Sequence, residues 1–328
     1  MTSRSYWFGL ALLVVFGASK AARGQAGTPD NPSVEPAPAP AAGEGASVVP
    51  AASVPAPYSL PWQLRPAAVG TVVRSDTAVA FYEDPTSGNG GSTVASMLLV
   101  SYKLMPNLAP LVRIGVVKNV PPMGGGATSF VNPVAGVTYL VKLPHELRLA
   151  LFGAMAFPVG MGGGNSPDAA TRAASLSGIA ARSAMDNAMF AVNCLTPFGG
   201  AGLAWVAHGL TVQAEVTVLQ LFRVRGEDQD PEAARPNSTF GLHVGYFVIP
   251  ELSFGAELRY QRWLSTPSFV AANAASRDTA TFAIGIRGHW KLGESIWFRP
   301  GIVYARGLDD PMARQRYNIV QVDLLVAF

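Results

Sequence analysis

The feature that most constrains this chain is an alternation of apolar and polar residues that recurs along most of its length. Successive side chains of a β-strand point to opposite faces, so a period of two residues predicts strands. The last segment shows the pattern most clearly, because one of its faces carries Val320, Val322, Leu324, Val326 and Phe328. The pattern predicts twelve strands, at residues 69–81, 94–104, 109–117, 130–143, 147–159, 198–207, 210–224, 239–248, 252–262, 280–292, 296–305 and 316–328.

Charged residues in these segments fall almost entirely on one face. When one face of every strand is assigned to lipid, the only charges on it are Arg262 and Arg316, both at strand ends. A basic residue at the bilayer midplane costs about 2–4 kcal/mol, so this sorting is typical of strands that cross a membrane. A soluble sandwich would show the same charged face in any single strand. The opposite face carries fourteen charges, Arg74, Asp76, Lys103, Arg113, Lys142, Arg148, Glu215, Arg223, Glu257, Arg259, Arg287, Lys291, Arg299 and Asp323.

The lengths of the connections separate these two folds. Five connections are short, at residues 105–108, 144–146, 208–209, 249–251 and 293–295. Six are long and alternate with the short ones, at residues 82–93, 118–129, 160–197, 225–238, 263–279 and 306–315. Short periplasmic turns that alternate with longer outer loops are typical of outer-membrane barrels. We therefore expect an all-β fold, a closed transmembrane antiparallel up-and-down β-barrel of twelve strands within residues 62–328.

Aromatic residues are expected in two bands, as at the two interfaces of a membrane barrel. Near the short turns lie Tyr102, Tyr139, Trp205, Phe254, Trp290 and Phe298. Near the long loops lie Phe81, Phe157, Phe222, Phe240, Tyr260 and Tyr304.

The N-terminus has the layout of an exported protein. A basic start, a short apolar core over residues 8–18 and small residues up to Ala26 predict a signal peptide over residues 1–26, cleaved near Ala26. Residues 27–61 are rich in Pro and Ala, which predicts a disordered periplasmic leader. The signal holds three of the 24 basic residues, which leaves 21 against 21 acidic ones. This balance removes the compositional support for a nucleic-acid partner.

The chain ends in Phe328, preceded at every second position by Val326, Leu324, Val322 and Val320. This strand resembles the C-terminal assembly signal of bacterial outer-membrane β-barrel proteins, among them the porins, although tyrosine is common in that family where Val326 stands. The resemblance implies a location in the bacterial outer membrane, contact with its lipids, and recognition of the strand by the barrel-assembly machinery. A periplasmic or cell-wall partner for residues 27–60 is a further expectation.

A barrel of twelve strands has room for a narrow pore. Ten of the fourteen inward charges are basic, and rings of Arg and Lys favour anions. The leading hypothesis is a narrow passive channel for small polar or anionic solutes, with Arg259, Arg287 and Arg299 nearest its selective section. The candidate pore-lining residues are Arg74, Asp76, Arg113, Gln213, Glu215, Arg223, His243, Glu257, Arg259, Gln261, Arg287, Arg299, Gln321 and Asp323.

The alternative hypothesis is that the inward charges pair into salt bridges that plug the lumen. The barrel would then conduct nothing and serve as a surface, anchor or assembly protein through its loops and leader. The longest loop, 160–197, bears on this choice. Leu176, Ile179, Ser183 and Ala184 recur at helical spacing and predict a helix within residues 169–189. This helix either enters the mouth of the barrel or caps it from outside.

A third hypothesis is a lipid hydrolase at the outer rim. His243 is the one histidine expected toward the outer half of the barrel, and no Ser or Asp stands two residues from it on the same strand face. We therefore assign no catalytic residue and expect no enzyme. Paired histidines, CxxC motifs and acidic repeats are absent from the sequence, so we predict no metal site and no cofactor.

Overall fold

The computed structural model describes residues 57–328. The predicted signal peptide and residues 27–56 of the predicted leader lie outside the described residues. Twelve strands, β1–β12, form the wall. Their bounds are Val72–Glu83, Gly90–Ser101, Leu108–Val120, Ala127–Phe130 with Val134–Lys142 (β4), Leu147–Ala156, Cys194–Ala207, Leu210–Arg223, Ala234–Ile249, Leu252–Trp263, Asp278–Gly288 with Trp290–Lys291 (β10), Trp297–Phe298 with Gly301–Gly307 (β11), and Asn318–Ala327.

The wall is a closed antiparallel barrel. Each strand pairs with its neighbours in the chain, and β12 returns to pair with β1 from Val72 opposite Ala327 to Phe81 opposite Asn318. Closure gives every strand two partners and leaves no open edge, as a membrane-spanning sheet requires. The predicted fold, a closed twelve-stranded up-and-down barrel, is confirmed.

The connections differ in length from the prediction. The end that carries residues 157–193 is called the outer end, and the opposite end the inner end. Strands β1, β2 and β3 extend further at the outer end than predicted, so two expected long loops shrink to residues 84–89 and 121–126. Hydrogen bonding between the strands continues through residues whose apolar alternation is weak. The long connections that remain are 157–193, 224–233, 264–277 and 308–317.

One strand leaves the wall where the sequence predicts a continuous strand over 130–143. The two parts of β4 are separated by residues 131–133, which turn toward the lumen. The Asn132 side chain donates to the Ala191 carbonyl oxygen at 2.8 Å and accepts from the Gly160 N–H at 3.0 Å. The break therefore attaches the wall to the longest outer connection.

The outward surface is an apolar belt. Valine, leucine and isoleucine side chains point outward from nearly every wall strand and are exposed. Outward charges on the strands, among them Lys118, Arg262 and Arg306, lie toward the outer end. Lys118 and Arg306 join this face because β3 and β11 run beyond their predicted ends. The aromatic residues of both predicted bands lie on the same surface, with Tyr102 and Trp290 exposed at the inner end and Phe81 and Phe222 at the outer end.

Within residues 57–328, no helix is both long enough and apolar enough to cross a bilayer.

The outer half of the lumen contains a helix, α1 (Ala169–Ala181). It begins at Asp168, whose carboxylate accepts a hydrogen bond from the Thr171 N–H at 2.8 Å, and this bond lowers the pKa of Asp168. The predicted helix over 169–189 is interrupted after Ala181, because Ser183 and Ala184 adopt positive φ angles of 53° and 54°. A short second helix, α2, follows at Asn187–Phe190.

Small side chains allow α1 to enter the barrel. On the wall, Ala78, Ala80 and Ala95 are fully buried, and α1 itself buries Ala174, Ser175, Gly178 and Ala181. Leu176, one of the residues whose spacing predicts the helix, is 44% exposed. The small-residue face of the helix is the one that packs, and Gly178 on it lies against the ring of the buried Phe190.

The apolar belt yields a prediction for two positions on the outward face of β3. Ile114 lies at the middle of the strand and Val120 at its outer end. Ile114→Arg should lower the free energy of unfolding from vesicles by about 2–4 kcal/mol, whereas Val120→Arg should lower it by about 0–1 kcal/mol. Urea titration of the refolded variants measures both values. Equal losses would contradict a bilayer centred on the middle of the strands.

Candidate functional site

The candidate site is the lumen, and two segments of the chain occupy it. Residues 58–68, the inner segment, enter from the inner end, and residues 157–193, the outer loop, enter from the outer end. The predicted pore-lining residues all lie on the lumen side of the wall. Arg113, Arg223 and Arg299 are partly exposed. The others are buried, namely Arg74, Asp76, Gln213, Glu215, His243, Glu257, Arg259, Gln261, Arg287, Gln321 and Asp323.

The inner segment belongs neither to the wall nor to a disordered leader, although the sequence analysis assigned residues up to 61 to the leader and those from 62 to the barrel. Its large apolar residues alternate, and Tyr58, Leu60, Trp62 and Leu64 are all buried. Burial of these side chains offsets the entropy of ordering the segment. Proline-rich composition concealed this pattern.

Two wall carboxylates receive the main chain of the inner segment. The N–H of Trp62 donates to Glu257 Oε1 at 2.5 Å, and the N–H of Gln63 donates to Oε2 at 3.3 Å. Glu215 accepts from both the N–H and the guanidinium of Arg65, at 2.6 and 2.8 Å. Glu257 and Glu215 therefore bind peptide N–H groups in the inner half of the lumen.

Wall donors satisfy the carbonyl groups of the same segment. Gln213 Nε2 donates to the Arg65 carbonyl oxygen at 2.7 Å, and Arg74 and Gln321 both donate to the Trp62 carbonyl oxygen. The Tyr58 hydroxyl donates to Gln213 Oε1 at 2.5 Å. The buried main chain thus has the polar partners that a low-dielectric interior demands.

Trp62 has the largest side chain of the inner segment, and only 2% of its surface is exposed. The His243 ring meets it edge-to-face with centroids 5.7 Å apart, and the Arg287 guanidinium lies 5.9 Å from the indole. A Cβ atom on Gly255 would lie 3.0 Å from the indole ring, and one on Gly301 would lie 3.2 Å from its Nε1. Only glycine at these wall positions leaves the indole enough room.

Arg182 attaches the outer loop to the wall. Its guanidinium makes two hydrogen bonds to the Asp76 carboxylate, both 2.7 Å, and a third to Asp186 at 3.0 Å. Asp186 also forms a two-point ion pair with Arg113 of β3. Burial alone would raise the pKa of Asp186, but Arg113 and Arg182 hold it well below its ordinary range. The carboxylate therefore stays ionised.

The register of the sheet explains why Arg182 is needed there. Asp76 of β1 stands directly opposite Asp323 of β12, and like charges in that arrangement repel each other. Arg74 and Arg287 bind Asp323 at 2.8 and 2.5 Å. The closest cation to Asp76 is the Arg182 guanidinium, at 2.7 Å. The guanidinium of Arg74 lies farther away, at 3.9 Å.

A second set of contacts holds the outer loop at the mouth. Asp230, in the connection between β7 and β8, binds Arg172 of α1 at 3.4 Å and Arg235 of β8 at 3.1 Å. The Asn193 amide donates to the same carboxylate at 2.7 Å. The loop is thus attached both at mid-lumen and at the outer rim.

The two internal segments meet through one wall residue. Arg259 donates to the Ser183 hydroxyl of the outer loop at 3.2 Å and pairs with Glu257, which binds the inner segment. Between the segments lies a cavity of about 80 Å³, lined by Trp62 and Arg65 from one side and Met185 from the other. The inner segment and the outer loop therefore obstruct the lumen from its two ends, with this cavity between them.

Three residues central to this arrangement, Arg65, Arg182 and Asp186, were not among the predicted site residues. Each lies outside the alternating strands, in the predicted barrel start or in the long loop. Sequence spacing alone does not connect them to their wall partners. The one available signal was the presence of two inward acidic positions, Asp76 and Asp323, which face each other only once the barrel closes.

The structure contradicts the geometry expected of a rim hydrolase. His243 is fully buried in the inner half of the lumen, between Trp62 and Glu257, and does not reach the outer rim. Within residues 57–328, no group of three or more His, Cys, Asp or Glu side chains is arranged to hold a metal ion.

No protein-family model matches the chain, and no curated protein matches it. Among solved structures, the fold is similar to the COG4313 outer membrane channel from Pseudomonas putida F1, at 12% identity over 81% of this chain and 98% of that one, with a TM-score of 0.48. It is also similar to the NanC porin, at 11% identity over 77% and 98%, with a TM-score of 0.46. The KdgM porin in complex with disordered oligogalacturonate matches at 8% identity over 78% and 99%, with a TM-score of 0.43.

The attachment of the outer loop yields a prediction for Arg182. Removing one partner of a buried ion pair costs roughly 3–5 kcal/mol, so Arg182→Met should weaken the docking of the loop. We expect the amide hydrogens of α1 to exchange at least about tenfold faster in this variant, measured by hydrogen–deuterium exchange with mass spectrometry.

The matched control is Arg314→Met, which removes an exposed pair with Asp310 and should leave exchange in α1 unchanged. If α1 exchanges at the wild-type rate in Arg182→Met, the ion pairs do not hold the outer loop.

Proposed function

We propose that the protein is an outer-membrane channel for small polar or anionic solutes, and that this structure represents its closed state. The observation that carries the proposal is the way the lumen is closed. The wall strands enclose a polar interior, and it is obstructed by segments that extend from the strand ends. Movement of these segments would open a passage while every hydrogen bond between wall strands stays intact.

The outer surface supports a location in the outer membrane. Apolar side chains cover the middle of the barrel, and exposed aromatic residues lie toward both ends. In β12, Val322 points outward and Phe328 ends the chain with more than half its surface exposed. Outer-membrane lipids and the barrel-assembly machinery are accordingly the partners we propose for this surface and this strand.

The wall charges support a preference for anions. Arg74 and Arg287 pair with Asp323, and the neighbouring Asp76 balances the second arginine, so the excess positive charge in this part of the wall comes from Arg299. Arg299 lies nearby, its guanidinium against Trp297. When the inner segment withdraws, these arginines face the passage. In a narrow lumen with weak screening, such an excess raises the local concentration of anions.

The second candidate function is a non-conducting barrel that serves as an anchor or surface protein. The pairing of the wall carboxylates favours it, because Asp76, Glu215, Glu257 and Asp323 each have an arginine partner. A barrel whose internal segments never move would need such a network only for stability. Conductance distinguishes the two functions.

The channel proposal predicts distinct behaviour for the wild type and a release variant in planar bilayers. The wild type should be closed most of the time. Trp62→Ala combined with Leu64→Ala removes two of the four large buried side chains of the inner segment, so the variant should open in discrete steps. Its reversal potential in a KCl gradient should show anion preference.

The control variant is Leu258→Ala, which shortens an outward side chain of β9 and should behave as the wild type does. If the release variant and Arg182→Met both fold and both stay silent, the non-conducting function is correct and the channel proposal fails.

A further inference from the structure

We propose that the inner half of the lumen is a binding site for a polypeptide segment that bends at its centre. In this structure the chain's own inner segment, residues 58–68, occupies the site. A second peptide of the same pattern can replace it. The inference goes beyond the channel proposal and does not require that the barrel conduct.

The first observation is that the wall recognises main-chain groups. Glu257 and Glu215 accept three N–H groups of the inner segment, and Thr211 Oγ1 accepts the N–H of Ser59 at 3.0 Å. Gln213 and Gln321 donate to carbonyl oxygens. These groups are present in any peptide, so a ligand needs only a backbone that bends as the inner segment does at residues 62–64 to satisfy most of the polar wall residues.

The second observation is that the wall has room for particular side chains. Glycines take the inward positions where the segment approaches most closely. Gly245 stands beside Gly255 in register, and a Cβ atom on it would overlap Ser59 Oγ. A Cβ atom on Gly241 would lie 2.6 Å from Leu64 Cδ1, and one on Gly255 would lie 3.0 Å from Trp62. The wall therefore has one recess for an indole and one for a leucine.

The third observation is a cationic position that follows the leucine. The Arg65 guanidinium pairs with Glu215 and lies 4.1 Å from the centre of the Phe152 ring. An ion pair and a cation–π contact together select arginine over lysine. The ligand class is therefore a peptide that bends at a tryptophan, with a leucine two positions later and an arginine directly after the leucine.

The fourth observation is that a short covalent link is all that makes the inner segment part of the same chain as its site. The inner segment adds no strand to the wall, and the chain leaves the site through residues 69–71 before β1 begins. Every contact given above would persist if that link were cut. The tether raises the effective concentration of the segment to the millimolar range, which lets it outcompete a free peptide of the same sequence.

The test uses the full chain in detergent and a fluorescein-labelled peptide with the sequence of residues 57–69. In the Trp62→Ala and Leu64→Ala double variant the tethered segment is weakened, so fluorescence anisotropy should give a Kd at least about tenfold lower than in the wild type. Adding Glu257→Gln should raise that Kd about tenfold. A control peptide with the same two alanines should bind neither protein.

A second measurement tests the proposal without the double variant, in case that variant does not fold. A protease site inserted after Val69 in the otherwise wild-type chain is cut after folding, and the labelled peptide should then exchange into the barrel. Absence of both binding and exchange overturns the proposal, as does equal binding of the control peptide. If the variants conduct no current in planar bilayers but the labelled peptide binds, the channel proposal fails and the proposal of a peptide site is supported.

Discussion

The rest of the structure depends on the need to neutralise the buried carboxylates that the wall strands direct into the lumen. An unpaired buried carboxylate costs several kcal/mol, so each must find a cation or a set of N–H donors. Asp323 finds Arg74 and Arg287 within the wall. Asp76 and Glu215 depend on Arg182 and Arg65, which belong to the two internal segments. The charges of the wall are therefore balanced only when both internal segments are in place.

This dependence also explains how a closed lumen can be both stable and releasable. Strong ion pairs hold the segments in place, but the segments contribute no strand to the wall. Withdrawal of either segment exchanges protein partners for water at the same carboxylates, since an opened lumen admits solvent. The two segments also share the Arg259–Glu257 pair, so release of one removes support from the other.

The wall was predictable from sequence, because membrane and lumen impose opposite chemistry on alternate residues. The face carrying Arg74 and Asp76 and the face carrying Ile114 could be assigned from parity alone. The contents of the lumen were not predictable in this way. Arg182 finds Asp76 across a distance of 106 positions, and only the closed barrel brings them together. The break in β4 at Asn132 likewise depends on the outer loop, a contact that local periodicity does not encode.

The most direct measurement is disulfide trapping of the inner segment in membrane-embedded protein. In a Cys194→Ala background, Leu64→Cys and Gly241→Cys place two thiols where Leu64 now contacts the wall. We expect rapid, near-complete formation of the disulfide under mild oxidation, and none for Leu64→Cys paired with Gly285→Cys, whose inward position faces Val303. Failure of the first pair to crosslink in a properly folded barrel would show that the inner segment does not occupy the lumen.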